Sequence, residues 1–255
     1  KAAIDEDALR EELSRLRAEL ERYARLAEEK ERQLERYASD LRETFKAERA
    51  RTDELHASYV ATVRALTNAV EARDAYTGKH AERVAAYGLE LTRLIDPELA
   101  RNPQVEFGFL LHDIGKVAIP DGILHKPGHL LAEERILMRR HPVIGHEMVR
   151  DIPFLDEAAQ IVRHHHERWD GSGYPDGLAG EEIPIAARIF AVVDAFDAMT
   201  TARPYSPEIS ITDARAEIAA KAGSQFAPAV VAHLAQLSDR TLERIGAGRI
   251  GAGRV

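Results

Sequence analysis

His112 and Asp113 stand side by side in "FLLHDIGKVAIP" (residues 109–120), at the end of an apolar run and just before Gly115 and Lys116. Further on, "FLDEAAQIVRHHHERW" places His164, His165 and His166 in a row. Imidazole and carboxylate ligands without thiolate suit Fe, Mn or Zn, and the chain has no cysteine. A lone His on an apolar face is more often a satisfied core residue, so each is tested by direction. An α-helix turns about 100° per residue. On that wheel His165 and His166 straddle Val162 on the face of Leu155, Ala158 and Ala159, within about 60° of it, while His164 points outward. Two adjacent imidazoles facing a core without acceptors are costly, and a shared metal site explains them better than packing does.

The same test places His112 and Asp113 about the inner direction set by Val105 and Phe109. His80 precedes the stripe Val84, Tyr87, Leu91 and Ile95 on a helix with Thr77 as its expected N-cap. His141 precedes Pro142, which is favoured at the first helical position, so it sits at a helix junction. The helix "IPIAARIFAVVDAFDAMT" is apolar nearly all round yet carries Asp194 and Asp197. A buried carboxylate needs a cation, a metal or several hydrogen bonds. Periodicity does not choose between the two, although Asp197 lies nearer the apolar stripe. His80, His112, Asp113, His141, His165, His166 and one of these Asp residues make seven ligands. Seven are too many for one tetrahedral ion and suit two octahedral ones, with Asp113 as the natural bridge.

The elements that must position them form three segments. Residues 1–70 lack Gly and Pro and carry a heptad seam through Leu9, Leu13, Leu16, Leu20, Tyr23, Ala27, Lys30, Leu34, Tyr37 and Leu41. Phe45 follows Leu41 by four where three is due, a stutter, before the spacing resumes through Leu55, Tyr59, Thr62 and Leu66. A parallel dimeric coiled coil is expected there, with the stutter as a point where a signal could be relayed. Residues 71–237 read as helix after helix, broken by Gly/Pro loops such as "WDGSGYPDG". Residues 238–255, ending "RIGAGRIGAGRV", are expected to be a disordered Gly-rich tail. A formal charge of −8 argues against broad nucleic-acid binding. No apolar run is long enough to span a membrane. No signal peptide is read, and a cysteine-free chain fits a reducing cytoplasm.

Taken together, "DAYTGKHAERV", "LLHDIGKVAIP", "ILHKPGHL", "HPVIGHEMV", "HHHERWDGSGYPDGL", "IPIAARIFAVVDAFDAM" and "RPY" resemble, in order, the HD-GYP family of cyclic dinucleotide phosphodiesterases. The resemblance covers about residues 70–237. It implies an all-α fold around a metal centre and a cyclic dinucleotide substrate, cyclic di-GMP above all. It also implies His80, His112, Asp113, His141, His165, His166 and Asp194 as metal ligands, selecting Asp194 over Asp197. Two departures stand out. Members with three metals carry a Glu where this chain has Tyr76, so two divalent ions are expected, Fe or Mn. Many members also carry a Lys after "RPY" where this chain has Ser206, which weakens phosphate binding while Arg203 remains.

The expected reaction is hydrolysis of cyclic di-GMP to linear pGpG, GMP or both by a metal-bridging hydroxide. Asp113 and Lys116 carry the catalytic roles in this reading. Lys116 contacts the scissile phosphate or protonates the leaving oxygen; its plain alternative is a surface Lys at a helix C-terminus. Tyr174 either borders a guanine or merely shapes a rigid loop, and Glu167 is expected to orient a ligand His. Lys126, Pro127 and Gly128 read as a turn. Competing readings are a phosphodiesterase for another cyclic dinucleotide, a module that binds metal and ligand without turnover, and a chain whose coil is primary while its globular domain is a platform for docking partners.

Overall fold

The computed structural model describes residues 6–73, 79–202 and 207–249. The expectations on Tyr76, Thr77, Arg203, Ser206 and the tail from 250 onward therefore lie outside the described residues. The fold is all-α, as the Gly/Pro punctuation predicts. Its helices are α1 (Glu6–Glu71), α2 (His80–Ile95), α3 (Pro103–Leu111), α4 (Asp121–Leu124), α5 (Ala132–Met138), α6 (His141–Val149), α7 (Asp156–His164), α8 (Ile185–Thr200), α9 (Ile211–Ala220), α10 (Pro228–Leu234) and α11 (Asp239–Gly246). A short 3₁₀ turn, Ile114–Ala118, follows α3. No helix among the described residues is long and apolar enough to cross a membrane.

The chain divides into two compact units, Lys1–Tyr59 and Val60–Val255. In the first, the described residues are helical, and the Leu/Tyr seam is bare: Leu9, Leu16, Leu20, Tyr23 and Leu34 are each about half exposed or more. Sequence alone missed a different stripe at the end of α1. Val63, Thr67 and Val70 are buried in the second unit while Leu66 is 42% exposed, so the heptad seam does not continue into that core. The last turns of α1 are also tied by polar contacts. Arg64 reaches Glu82 of α2 and Glu106 of α3, both at 3.3 Å, and Thr67 donates to the Leu110 carbonyl at 3.2 Å.

The core of the second unit is aromatic and aliphatic. Phe107, Phe109, Phe190, Phe196, Leu91 and Leu111 are almost wholly enclosed. Asn102 caps α3 by accepting from the Gln104 N–H, with Pro103 at the first turn. The expected disordered tail begins too early: α11 occupies Asp239–Gly246, capped by Ser238, and buries Leu242 and Ile245. The Leu and Ile spacing of three on a short amphipathic helix explains this, a signal the neighbouring Gly-rich repeat masked.

Candidate functional site

Three of the candidate ligands obey one local rule. The last turn of a helix leaves carbonyls without intrahelical donors. His112 Nδ1 lies 2.8 Å from the Phe109 carbonyl, His141 Nδ1 2.8 Å from that of Met138, and His165 Nδ1 2.7 Å from that of Val162. Each imidazole bonds the carbonyl three residues behind it at the end of α3, α5 or α7. A carbonyl only accepts, so Nδ1 carries the proton and each Nε2 presents a lone pair. His112 and His165 thus cap their helices rather than continue them. Asp113, at φ −96°, is the N-cap of the 3₁₀ turn and no longer part of α3, so the helical wheel does not extend through it.

These lone pairs converge. His141 Nε2 and His165 Nε2 are 3.2 Å apart, and one nitrogen from each of His141, His165 and His166 lies within 4.8 Å of the others. Burial and neighbouring imidazoles hold His165 well below the usual histidine range and His166 at about 4, so both rings are neutral near pH 7. Two facing acceptors with no donor between them repel, and a cation resolves that conflict. The residues therefore fit a metal ion on the chemistry of their donor atoms.

Asp113 stands between two groups of ligands. Its Oδ1 lies 3.3 Å from His141 Nε2, while its Oδ2 lies 3.1 Å from His112 Nε2 and 2.8 Å from Lys116 Nζ. Burial opposes its charge, yet Lys116 and His112 outweigh that and hold the carboxyl well below its ordinary range. Lys116 is not a free surface cation: its side chain is 20% exposed and turned onto Asp113. On the far side His80 Nε2 is 3.3 Å from Asp194 Oδ1, and the His80 and His112 rings are 5.5 Å apart.

The two Asp residues of α8, between which periodicity does not choose, have different surroundings. Asp197 is wholly buried and accepts from His80 Nδ1 at 2.7 Å. It also receives Arg83 through Nε at 2.6 Å and Nη2 at 3.0 Å. The carboxylate fixes which way the imidazole faces and leaves Nε2 turned to Asp194. Burial lowers the affinity of His80 for a proton, but its bonds to Asp194 and Asp197 dominate and push it up to about 9. The α2 N-cap is Lys79, in a left-handed conformation and without a side-chain cap; the carboxylate of Glu71 accepts from the Ala81 N–H at 2.9 Å instead. Arg73, two residues on, donates to the Val117 and Ile119 carbonyls and pairs with Asp121 at 2.6 Å. The end of α1 thus braces both the His80 and the Lys116 segments.

Close backbone approach explains the Gly in "HDIGK". A Cβ on Gly115 would lie 2.0 Å from the His141 carbonyl oxygen and 2.6 Å from the Gly145 nitrogen. Only Gly lets the 3₁₀ turn pack onto α6 and bring Asp113 against His141. Gly115→Ala is expected to separate the two, lowering bound metal at least tenfold by elemental analysis of folded protein. Unchanged metal content would show that α6 shifts to accommodate the methyl.

The "DGSGYPDG" loop folds back over α7 and corrects two expectations. His164 does not point into solvent; it is 8% exposed, with Nε2 3.0 Å from Asp176. The loop covers the face that the wheel assigned to water. Glu167 is not seen to orient a ligand His. Its Oε1 accepts from the Asp176 and Gly177 N–H groups at 2.7 and 3.0 Å, clamping the loop. Tyr174 stacks on His166, with centroids 4.8 Å apart and planes at 25°. Lys126 pairs with Glu134 at 2.6 Å beside Gly128, in keeping with a turn.

The HD domain family matches residues 64–230. A 3′3′-cGAMP-specific phosphodiesterase 2 of Vibrio cholerae is 43% identical over 168 residues, covering 65% of this chain and 32% of its own. The cyclic di-GMP phosphodiesterase response regulator RpfG of Xanthomonas campestris is 42% identical over 176 residues, 67% of this chain and 46% of its own. A cyclic di-GMP phosphodiesterase of Thermotoga maritima is 42% identical, covering 63% and 44%. This chain thus spans less than half the length of these relatives. The crystal structure of a cyclic GMP-AMP specific phosphodiesterase of V. cholerae superposes with a TM-score of 0.55 at 24% identity, over 72% of this chain and 50% of that one, and shows the same fold. Divalent metal dependence goes with this family, and the donor set here fits it. With its His-Asp and Gly-Tyr-Pro motifs both in place, this chain belongs to the HD domain family.

Proposed function

We propose that this chain hydrolyses the phosphodiester bonds of cyclic di-GMP, to linear pGpG, GMP or both, with two divalent ions of Fe or Mn. The observation that carries the reading is the set of acceptor-only imidazole nitrogens gathered on both sides of Asp113. In this reading His141, His165 and His166 would hold one ion, His80, His112 and Asp194 would hold the other, and Asp113 would serve both. The chemistry such a pair supplies when bound is hydroxide at neutral pH and neutralisation of phosphate charge. Asp197 and Arg83 keep His80 turned to the site. Lys116, held on Asp113 Oδ2, either contacts the scissile phosphate or gives its proton to the departing ribose oxygen. Arg203 contributes a cation to phosphate binding, and Tyr174 borders the substrate.

A second reading takes 3′3′-cGAMP as the preferred substrate, favoured by the name of the 43% identical relative. One experiment separates the readings. The chain is reconstituted anaerobically with Fe(II) or Mn(II), and loss of each cyclic dinucleotide is followed by HPLC. Faster loss of cyclic di-GMP supports the first reading, faster loss of cGAMP the second. Intact dinucleotides with two metals bound would sink both in favour of a module that binds without cutting.

The bare Leu/Tyr seam of the first unit supports a homodimer through that helix, since a lone helix leaves the row in water. Light scattering is expected to give twice the chain mass of 28.4 kDa. A monomer at working concentration overturns the dimer.

A further inference from the structure

Most arginines near the site are already paired. Arg83 is held by Asp197, Arg163 by Asp176 and Arg73 by Asp121. Arg139 is different. It follows the last turn of α5, two residues before His141, and is exposed. Among the described residues no carboxylate lies within ion-pair distance of it. Its guanidinium instead lies over the Tyr174 ring, 5.0 Å from the centroid. That ring in turn stacks on His166. Through that stack the ring stands beside one of the imidazoles of the site.

We propose that Arg139, seated on Tyr174, binds the second phosphate of the cyclic dinucleotide, the one that is not being cut. This rests on the substrate class proposed above. A guanidinium lying on an aromatic ring uses its π face for the ring and keeps its in-plane N–H donors for an anion. Those donors match phosphate oxygens in pairs. The position also decides which phosphate is meant. Arg139 meets the site through Tyr174, the ring that stacks on His166, whereas Lys116 is held on Asp113, where the scissile group must lie. An unpaired cation held at the rim of a site for a doubly charged substrate raises affinity without touching the reacting atoms. Tyr174, in turn, is the platform that carries this cation.

The test compares Arg139→Gln and Arg139→Lys with the parent chain on two substrates. Bis(p-nitrophenyl) phosphate offers one phosphate and no second. For cyclic di-GMP, Arg139→Gln is expected to raise KM about tenfold and to leave kcat within about twofold, because a charge-assisted contact is lost from ground and transition states alike. Arg139→Lys, which keeps charge but not the flat fork, falls between. Kinetics on bis(p-nitrophenyl) phosphate stay unchanged. Calorimetric binding of a hydrolysis-resistant phosphorothioate analogue of cyclic di-GMP weakens by the same factor. An unchanged KM and Kd in Arg139→Gln overturn the proposal, and so does an equal loss on both substrates, which would place Arg139 in the packing of the site. If the parent chain neither cleaves cyclic di-GMP nor binds the analogue, the substrate reading itself fails, and this assignment goes with it.

Discussion

On the proposed function, Asp113→Ala is expected to lower turnover of cyclic di-GMP by about 10³-fold or more and to take bound metal from two ions to one or none. The magnitude follows from what one carboxylate does here. Its two oxygens face His141 on one side and His112 on the other, and the second also holds Lys116. Losing a single oriented electrostatic group at a reacting centre costs about 10²–10³ in rate. Losing Asp113 removes the anchor of Lys116 and, in the proposed centre, the carboxylate that would serve both metals. Asp113→Asn keeps the shape and one oxygen but not the charge, and is expected between the two. HPLC assay with elemental analysis of the same samples checks both halves. A variant that keeps two metals and more than a tenth of its rate would remove Asp113 from the bridging position.

Asp197→Ala is the second large effect, and it separates two residues one turn apart on α8. Asp197 is fully buried and accepts four bonds, from His80, from two nitrogens of Arg83 and from the Thr201 hydroxyl. Its removal takes from Arg83, which is 9% exposed, the carboxylate that holds two of its nitrogens. Stranding one partner of such a pair costs about 3–5 kcal/mol. For a unit of this size that is a fall in Tm of about 10 °C. His80 also loses the acceptor that fixes its ring, so metal affinity drops about 10–100-fold. Asp194→Ala behaves differently. Asp194 has a third of its side chain exposed. Its loss costs activity and metal while Tm moves little. Thermal melts of the metal-free variants decide the matter: equal Tm changes for Asp194→Ala and Asp197→Ala would sink this division of roles.

The wheel and the resemblance agree on six ligands, and the wheel leaves the Asp of α8 open. Periodicity puts Asp197 nearer the apolar stripe, and the burial of Asp197 bears out that direction. Direction toward a core does not distinguish a group facing the metal from one facing a buried Arg, because the partner comes from another helix. Arg83 is 114 residues away in sequence. The same limit hides His164, which sits on the outer face of its own helix and is buried only because the loop at 170–177 returns over it. The second stripe on α1 escapes a sequence reading because the heptad seam is the stronger pattern, although Val63, Thr67 and Val70 have helical spacing.

The helical class, the seam on α1 and the residue types able to hold metal are all legible in the chain before it folds. Those are local properties, written in periodicity, in Gly and Pro, and in the chemistry of imidazole and carboxylate. Packing settled the rest: which Nε2 atoms face one another, which Asp of α8 receives Arg83, and that Arg139 rests on Tyr174. It also settled that Gly115 must lack a side chain, because its neighbour is the backbone of His141. Each of these is a contact between residues far apart in the chain, fixed by how helices pack rather than by any repeat within one of them.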